Sequence, residues 1–200
     1  MTSWIVRALL LGAALMVPVI ALNFTPKAEA AQPCIDVALV LAVDSSASVS
    51  PGEYLLQQQG IVAAFRNDSV LNAMAMAGRV AVSVVFWGSE GQAKPQSAWV
   101  MIDGKQAAEQ FARIVESMPR QVTGDTGLAS GLMTSVAKLQ SLDSCTVRRI
   151  INVSGDGEET RAVRGTRRVS FPKQVRDLAE ALKVEINALA ISNKPSLAQY

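Results

Sequence analysis

The sequence predicts an α/β fold: a doubly wound, mostly parallel sheet in three layers, with helices on both faces. Three observations carry that expectation. Apolar runs of strand length alternate with segments of helical spacing. The first of these runs is apolar almost throughout, as suits a strand buried on both faces of a parallel sheet. Two of the runs end in an acidic residue set among Ser and Gly, at the strand-to-loop junctions where open α/β sheets place their ligands. The chain has 200 residues, half of them hydrophobic, which is enough for one domain with a full core.

The elements follow in order. Met1 to Ala30 reads as a secretory signal, with Arg7 as the positive start and an uncharged apolar run from Ala8 to Leu22. Ala28-Glu29-Ala30 then forms a small-x-small cleavage site. The apolar run is shorter than the ~20 residues of a membrane span, the alternative being an uncleaved anchor. Cys34 follows Ala31-Gln32-Pro33, which is not a lipoprotein cleavage pattern. The expected mature domain, 31–200, starts with the strand Ile35 to Val43. Ser50-Pro51-Gly52-Glu53 opens a helix to about Arg66, with a Ser cap, Pro at the first position and Glu three residues after the cap. Asn67 to Gly78 continues as short helix or irregular chain. Arg79 to Trp87 is the second strand, and Ala98 to Ile102 a short third one at an edge. Lys105 to Ser117 is an amphipathic helix with Ala108, Phe111, Ala112 and Val115 on one face. Thr126 to Leu142 is the next helix, Val147 to Val153 the fourth strand, Phe171 to Leu182 a helix and Val184 to Ile191 the last strand.

Composition narrows the chemistry. The chain has no histidine, which excludes Ser-His-Asp and Cys-His catalysis and His-ligated zinc. Two cysteines alone do not build a structural zinc site, so any metal would be a hard cation held by oxygen. The net charge of +2 argues for neither nucleic acid nor membrane surfaces, and losing Arg7, Lys27 and Glu29 with the signal leaves the rest almost neutral.

Asp44 follows the first strand directly, and Asp156 follows the fourth. If those strands are neighbours, both carboxylates face one crevice. Asp44, Ser46 and Ser48 alternate, so a turn leaving the strand can aim three oxygens at one point, and Thr126 stands at the start of a helix after a Gly-containing loop. Two carboxylates and three hydroxyls suit Mg²⁺, or Mn²⁺, and suit zinc poorly. A cation held mainly by neutral oxygens stays electrophilic and can accept an acidic group from a partner. The plainer alternative is that Asp44, Ser46 and Ser48 only cap a helix and satisfy a loop.

The order Asp44-x-Ser46-x-Ser48, Thr126, Asp156-Gly157 resembles the metal-ion-dependent adhesion site of von Willebrand factor A domains. More narrowly, the chain from about Cys34 resembles exported bacterial proteins of the DUF1194 group. The resemblance implies a Rossmann-like doubly wound sheet with the first and fourth strands adjacent. It places Ser46, Ser48 and Thr126 near the metal, and Asp44 and Asp156 at it directly or through water. There are departures. Gly155 stands where many A domains have Thr, and Asp125 adds a carboxylate beside Thr126. A complete A domain also adds a strand and a closing helix, so the sequence is expected to be truncated at its C-terminus.

Cys34 and Cys145 each precede one of the two strands inferred to be neighbours, at the same end of the sheet, so a disulfide is expected between them. Two separate thiols are the alternative. Arg161, Arg164, Arg167 and Arg168 follow Asp156 and form either a basic rim for an acidic partner or a solvated loop. Trp87 reads as a partly buried core residue, and Met74, Met76, Met101 and Met133 as core filling.

The expected function is an exported, periplasmic or secreted, metal-dependent protein-binding module that recognises a partner's Asp or Glu. It is not an enzyme, binds no nucleic acid and has no membrane span in the mature chain. A metal-dependent hydrolase and a structural subunit with a purely stabilising metal are the alternatives. Against the hydrolase, the sequence offers no Gly-rich phosphate loop with Lys and no nucleophile–base pair.

Overall fold

The computed structural model describes residues 33–121, 124–156 and 171–191. The expected signal segment and the four arginines from Arg161 to Arg168 lie outside the described residues.

Five strands form one sheet. They are β1 (Ile35–Asp44), β2 (Val80–Trp87), β3 (Val100–Ile102), β4 (Thr146–Gly155) and β5 (Val184–Ala190), in the order β3-β2-β1-β4-β5. All neighbours are parallel except β2 and β3, which run antiparallel. The chain builds outwards from β1 to one edge, then returns to β1's other side as β4. The strand order therefore reverses between β1 and β4, and a crevice is left beyond their carboxyl ends.

The side-chain period of two sorts β1 onto both faces. Val37 and Val43 pack with Tyr54, Val62 and Phe65 of α1 (Pro51–Phe65) and with Phe111 and Val115 of α3 (Lys105–Ser117). Ala38, Val40 and Ala42 face the other way, onto Val136 and Leu139 of α4 (Leu128–Gln140) and Ala179 of α5 (Phe171–Ala181). This is the expected three-layer arrangement. Each Val or Phe fully buried here contributes about 1.5–3 kcal/mol. Every residue of β2 is buried, because helices cover it on both sides.

Some details depart from the sequence reading. Of the two expectations for Asn67–Gly78 the helix holds, as α2 (Asp68–Ala77), but it buries no residue fully. Met76 on it is 89% exposed and Met133 on α4 is 38% exposed, so neither fills the core, while Met74 does pack against it. Trp87 is fully rather than partly buried, with its ring against α4. A Cβ on Gly131 would come within 2.6 Å of that ring, so only glycine lets helix and strand approach this closely.

β1 and β4 are also joined covalently. Cys34 and Cys145, immediately before the two strands' amino ends, form a disulfide with a Cα separation of 4.6 Å. The β4–β5 half of the sheet is more open. Between α1 and these strands lies an apolar groove of about 870 Å³, walled by Leu41, Leu56, Ile61, Asn152 and Leu189 among others. Among the described residues, no helix is long and apolar enough to cross a membrane.

Candidate metal centre

β1 stops being a strand at Asp44, and its carboxylate is fully buried. One oxygen, Oδ1, accepts a hydrogen bond from the Ser46 backbone N–H at 2.8 Å and turns the chain. The turned loop runs from Ser45 to Ser50, where helix α1 starts. There Ser50 Oγ accepts from the Glu53 N–H at 3.2 Å, and the Glu53 carboxylate accepts from the Ser50 N–H at 2.8 Å. This reciprocal cap, followed by Pro51, fixes where the loop ends and contributes about 1 kcal/mol.

The loop's hydroxyls converge on the other two predicted positions. Ser48 Oγ donates to Asp156 Oδ1 at 2.8 Å and lies 3.1 Å from Ser46 Oγ. Thr126 Oγ1 lies 3.4 Å from Ser46 Oγ and 3.5 Å from Ser48 Oγ. Asp156 follows β4, which pairs with β1 up to the level of Val43 and Ser154. Strand adjacency therefore brings the two carboxylates to one crevice. All five predicted positions lie around it: Asp44, Ser46, Ser48, Thr126 and Asp156. Thr126 reaches it from two residues before α4, not from inside the helix.

Two features mark this cluster as more than a satisfied loop. Asp44 Oδ2 is buried and has no hydrogen-bond partner among the described residues. Such an acceptor costs about 1–3 kcal/mol until a water or an ion meets it, and the indole N–H groups of Trp87 and Trp99 stand in the same position. Burial pushes the Asp44 carboxyl up to about 6, against the Ser46 hydrogen bonds that lower it, with a smaller push from the Asp156 charge and a smaller opposing pull from the Asp156 backbone N–H. Two carboxylates and three hydroxyls thus share one partly buried place. The donor set, all oxygen, fits a hard divalent ion. Among the described residues no group of three or more His, Cys, Asp or Glu could hold a metal ion, so a cation placed here would have to rest on the hydroxyls as well.

Gly155 has a physical reason to be glycine. A Cβ there would stand 3.0 Å from Asp44 Oδ2 and 3.4 Å from Trp87 Cζ2, crowding the carboxylate the strand must pass. Asp125 does not join the cluster through its backbone: it is exposed, and its N–H donates to Ser89 Oγ at 2.7 Å.

Sequence reasoning missed two supports. Gln57 Nε2, nearly two turns into α1, donates to the Asp44 carbonyl at 3.0 Å while its Oε1 accepts from Ser154 Oγ at 2.7 Å. The Arg120 guanidinium donates to the carbonyls of Ser45, Ser46 and Val49. Both bind backbone oxygens, which every residue carries, so no sequence motif marks their targets.

A family model described as "Protein of unknown function (DUF1194)" matches residues 33–200. No curated protein matches in sequence. Among solved structures, the chain is similar to the pilus adhesin SpaC from Lactobacillus rhamnosus GG. That likeness has a TM-score of 0.57 at 16% identity and covers 80% of this chain and 25% of that one. The chain is also similar to proximal thread matrix protein 1 from the mussel byssus, in a structure with a zinc-occupied metal-ion-dependent adhesion site. Here the TM-score is 0.53 at 13% identity, over 78% of this chain and 36% of that one. At such identities the likeness is one of fold, the von Willebrand factor A-like fold, and the chain spans only about a quarter to a third of these proteins' lengths.

Proposed function

The chain belongs to the DUF1194 family, and we propose that it is an exported protein-binding module that uses a bound divalent cation to recognise an acidic group of its partner. The observation that carries this reading is the convergence of Ser46, Ser48, Thr126 and Asp156 oxygens beside a buried carboxylate oxygen, Asp44 Oδ2, with no hydrogen-bond partner among the described residues.

In this reading Asp44, Ser46, Ser48, Thr126 and Asp156 hold Mg²⁺, with Mn²⁺ as an alternative occupant. The ion supplies a positive centre for an Asp or Glu carboxylate of another protein. The chain's own residues keep that place in shape. Gln57 ties the end of β1 to β4, and the capped start of α1 fixes the far end of the loop. Hydrolysis is the weaker reading, because the chain has no histidine and its two buried or partly buried carboxylates here are both committed to the cluster.

The similar solved structures are an adhesin and a byssus matrix protein, which supports binding over turnover. The disulfide supports a periplasmic or extracellular home, since disulfides persist in oxidising compartments. Capture of a protein from the native envelope by the immobilised full chain tests the proposal. It is expected with Mg²⁺ and lost with EDTA or Asp44→Ala. Capture that survives both treatments would refute it.

A further inference from the structure

The oxygens of the Asp44–Ser50 loop divide between two jobs. The side-chain hydroxyls of Ser46 and Ser48 go to Thr126 and Asp156, while the backbone carbonyls of Ser45, Ser46 and Val49 go to one side chain, Arg120. Arg120 Nε and Nη2 donate to the Ser45 carbonyl at 3.1 and 3.0 Å, and Nη2 also donates to the Ser46 carbonyl and, at 2.7 Å, to that of Val49. The guanidinium lies 5.5 Å from the centre of the Tyr54 ring, which is itself buried against Phe86.

A planar fork with five N–H groups, braced by an aromatic ring, can hold three carbonyls of a tight loop at once. A lysine ammonium has no such fixed geometry. Arg120 also belongs to the segment between α3 and α4 that carries Thr126. It thereby ties the loop bearing Ser46 and Ser48 to the chain that delivers the third hydroxyl. The Ala47 N–H, donating to the Gly124 carbonyl at 2.8 Å, is a second tie between the same two segments.

We infer that Arg120 is the positioning residue of the cation site: by fixing the carbonyls of Ser45, Ser46 and Val49 it sets the direction in which Ser46 and Ser48 present their hydroxyls. The inference rests on the cluster being a cation site. Arg120 itself touches neither cation nor partner. Its work is to keep three neutral donors converged before the ion arrives, so that binding does not have to order the loop.

The test uses the full chain and Mn²⁺ alone, with free ion measured by electron paramagnetic resonance and stability by urea unfolding. Wild type is compared with Arg120→Lys, Arg120→Met and the control Phe65→Leu, which disturbs the Phe65–Phe111 contact in the α1–α3 core. The expected result is Mn²⁺ affinity about tenfold weaker in Arg120→Lys and weaker still in Arg120→Met. Phe65→Leu should lose stability and keep wild-type affinity. Arg120 variants that bind within twofold of wild type, while wild type binds Mn²⁺, would overturn the positioning role alone. Wild type that binds no Mn²⁺ would overturn the cation reading and this inference with it. If Arg120→Met does not fold, Arg120→Lys decides.

Discussion

β1 and β4 lie side by side, yet their two ends are built on opposite principles. At the amino ends a disulfide joins residues 111 apart in sequence. At the carboxyl ends the same pairing forces two carboxylates into one crevice, one of them with a buried oxygen that nothing among the described residues satisfies. The first end stabilises the fold, and the second costs it stability. Hydrophobic burial and strand register account for the middle of the pair but not for the second end. Its cost has a physical explanation once a cation is supplied, because the charge that opposes folding is then the charge that binds.

The contrast can be broken from either side. Cys34→Ser together with Cys145→Ser removes the staple, and for a closed loop of this length the expected loss is about 2–5 kcal/mol in urea unfolding. Mn²⁺ affinity of the folded double variant should stay within about twofold of wild type, because only the distant end is touched; a large drop would mean that the two ends are not independent. The opposite sign is expected at the other end. Asp44→Asn removes a buried charge while keeping the shape of the side chain, so the metal-free protein should gain about 1–2 kcal/mol. A loss of stability would mean that the fold, not a ligand, requires the carboxylate.

Smaller changes sharpen the contrast. Ser48 is exposed and, among the described residues, its hydroxyl meets only the cluster, so Ser48→Ala should weaken Mn²⁺ about fivefold with a stability change within about 0.5 kcal/mol. The smallest effect is expected far from both ends, at the exposed Arg66–Glu109 pair. The hydrogen bond from Arg66 holds the Glu109 carboxyl below its ordinary range, with a smaller contribution from Arg113. Its contribution is therefore present above the ordinary carboxylate range and is lost as pH falls through the lowered value. Solvent and salt screen it, so Glu109→Gln should leave the unfolding midpoint at neutral pH almost unchanged and Mn²⁺ binding untouched.

How much was legible in sequence follows from what each residue responds to. The strands were readable because burial on both faces demands unbroken apolar runs such as Ile35–Val43. The convergence of Asp44, Ser46, Ser48 and Asp156 was readable because they stand at the ends of those strands, and that of Thr126 because it stands just before a helix. Arg120 and Gln57 were not, since they grip backbone carbonyls that leave no mark on the residue gripped. Met76 misled because apolar character permits exposure: α2 turns Leu71 and Met74 to the core and leaves Met76 on its outer face. Thr126 was placed inside a helix that starts two residues later, because Gly127 breaks the pattern only locally.

The central claim is that the carboxyl ends of β1 and β4 form a site for one hard divalent cation. Mn²⁺ titration of the full chain and of Asp44→Asn, with Mg²⁺ as competitor and EDTA-stripped protein as the start, tests it most directly. One ion per wild-type chain, displaced by Mg²⁺, is expected, and none in a folded Asp44→Asn. No binding by wild type, or equal binding by the variant, would contradict it.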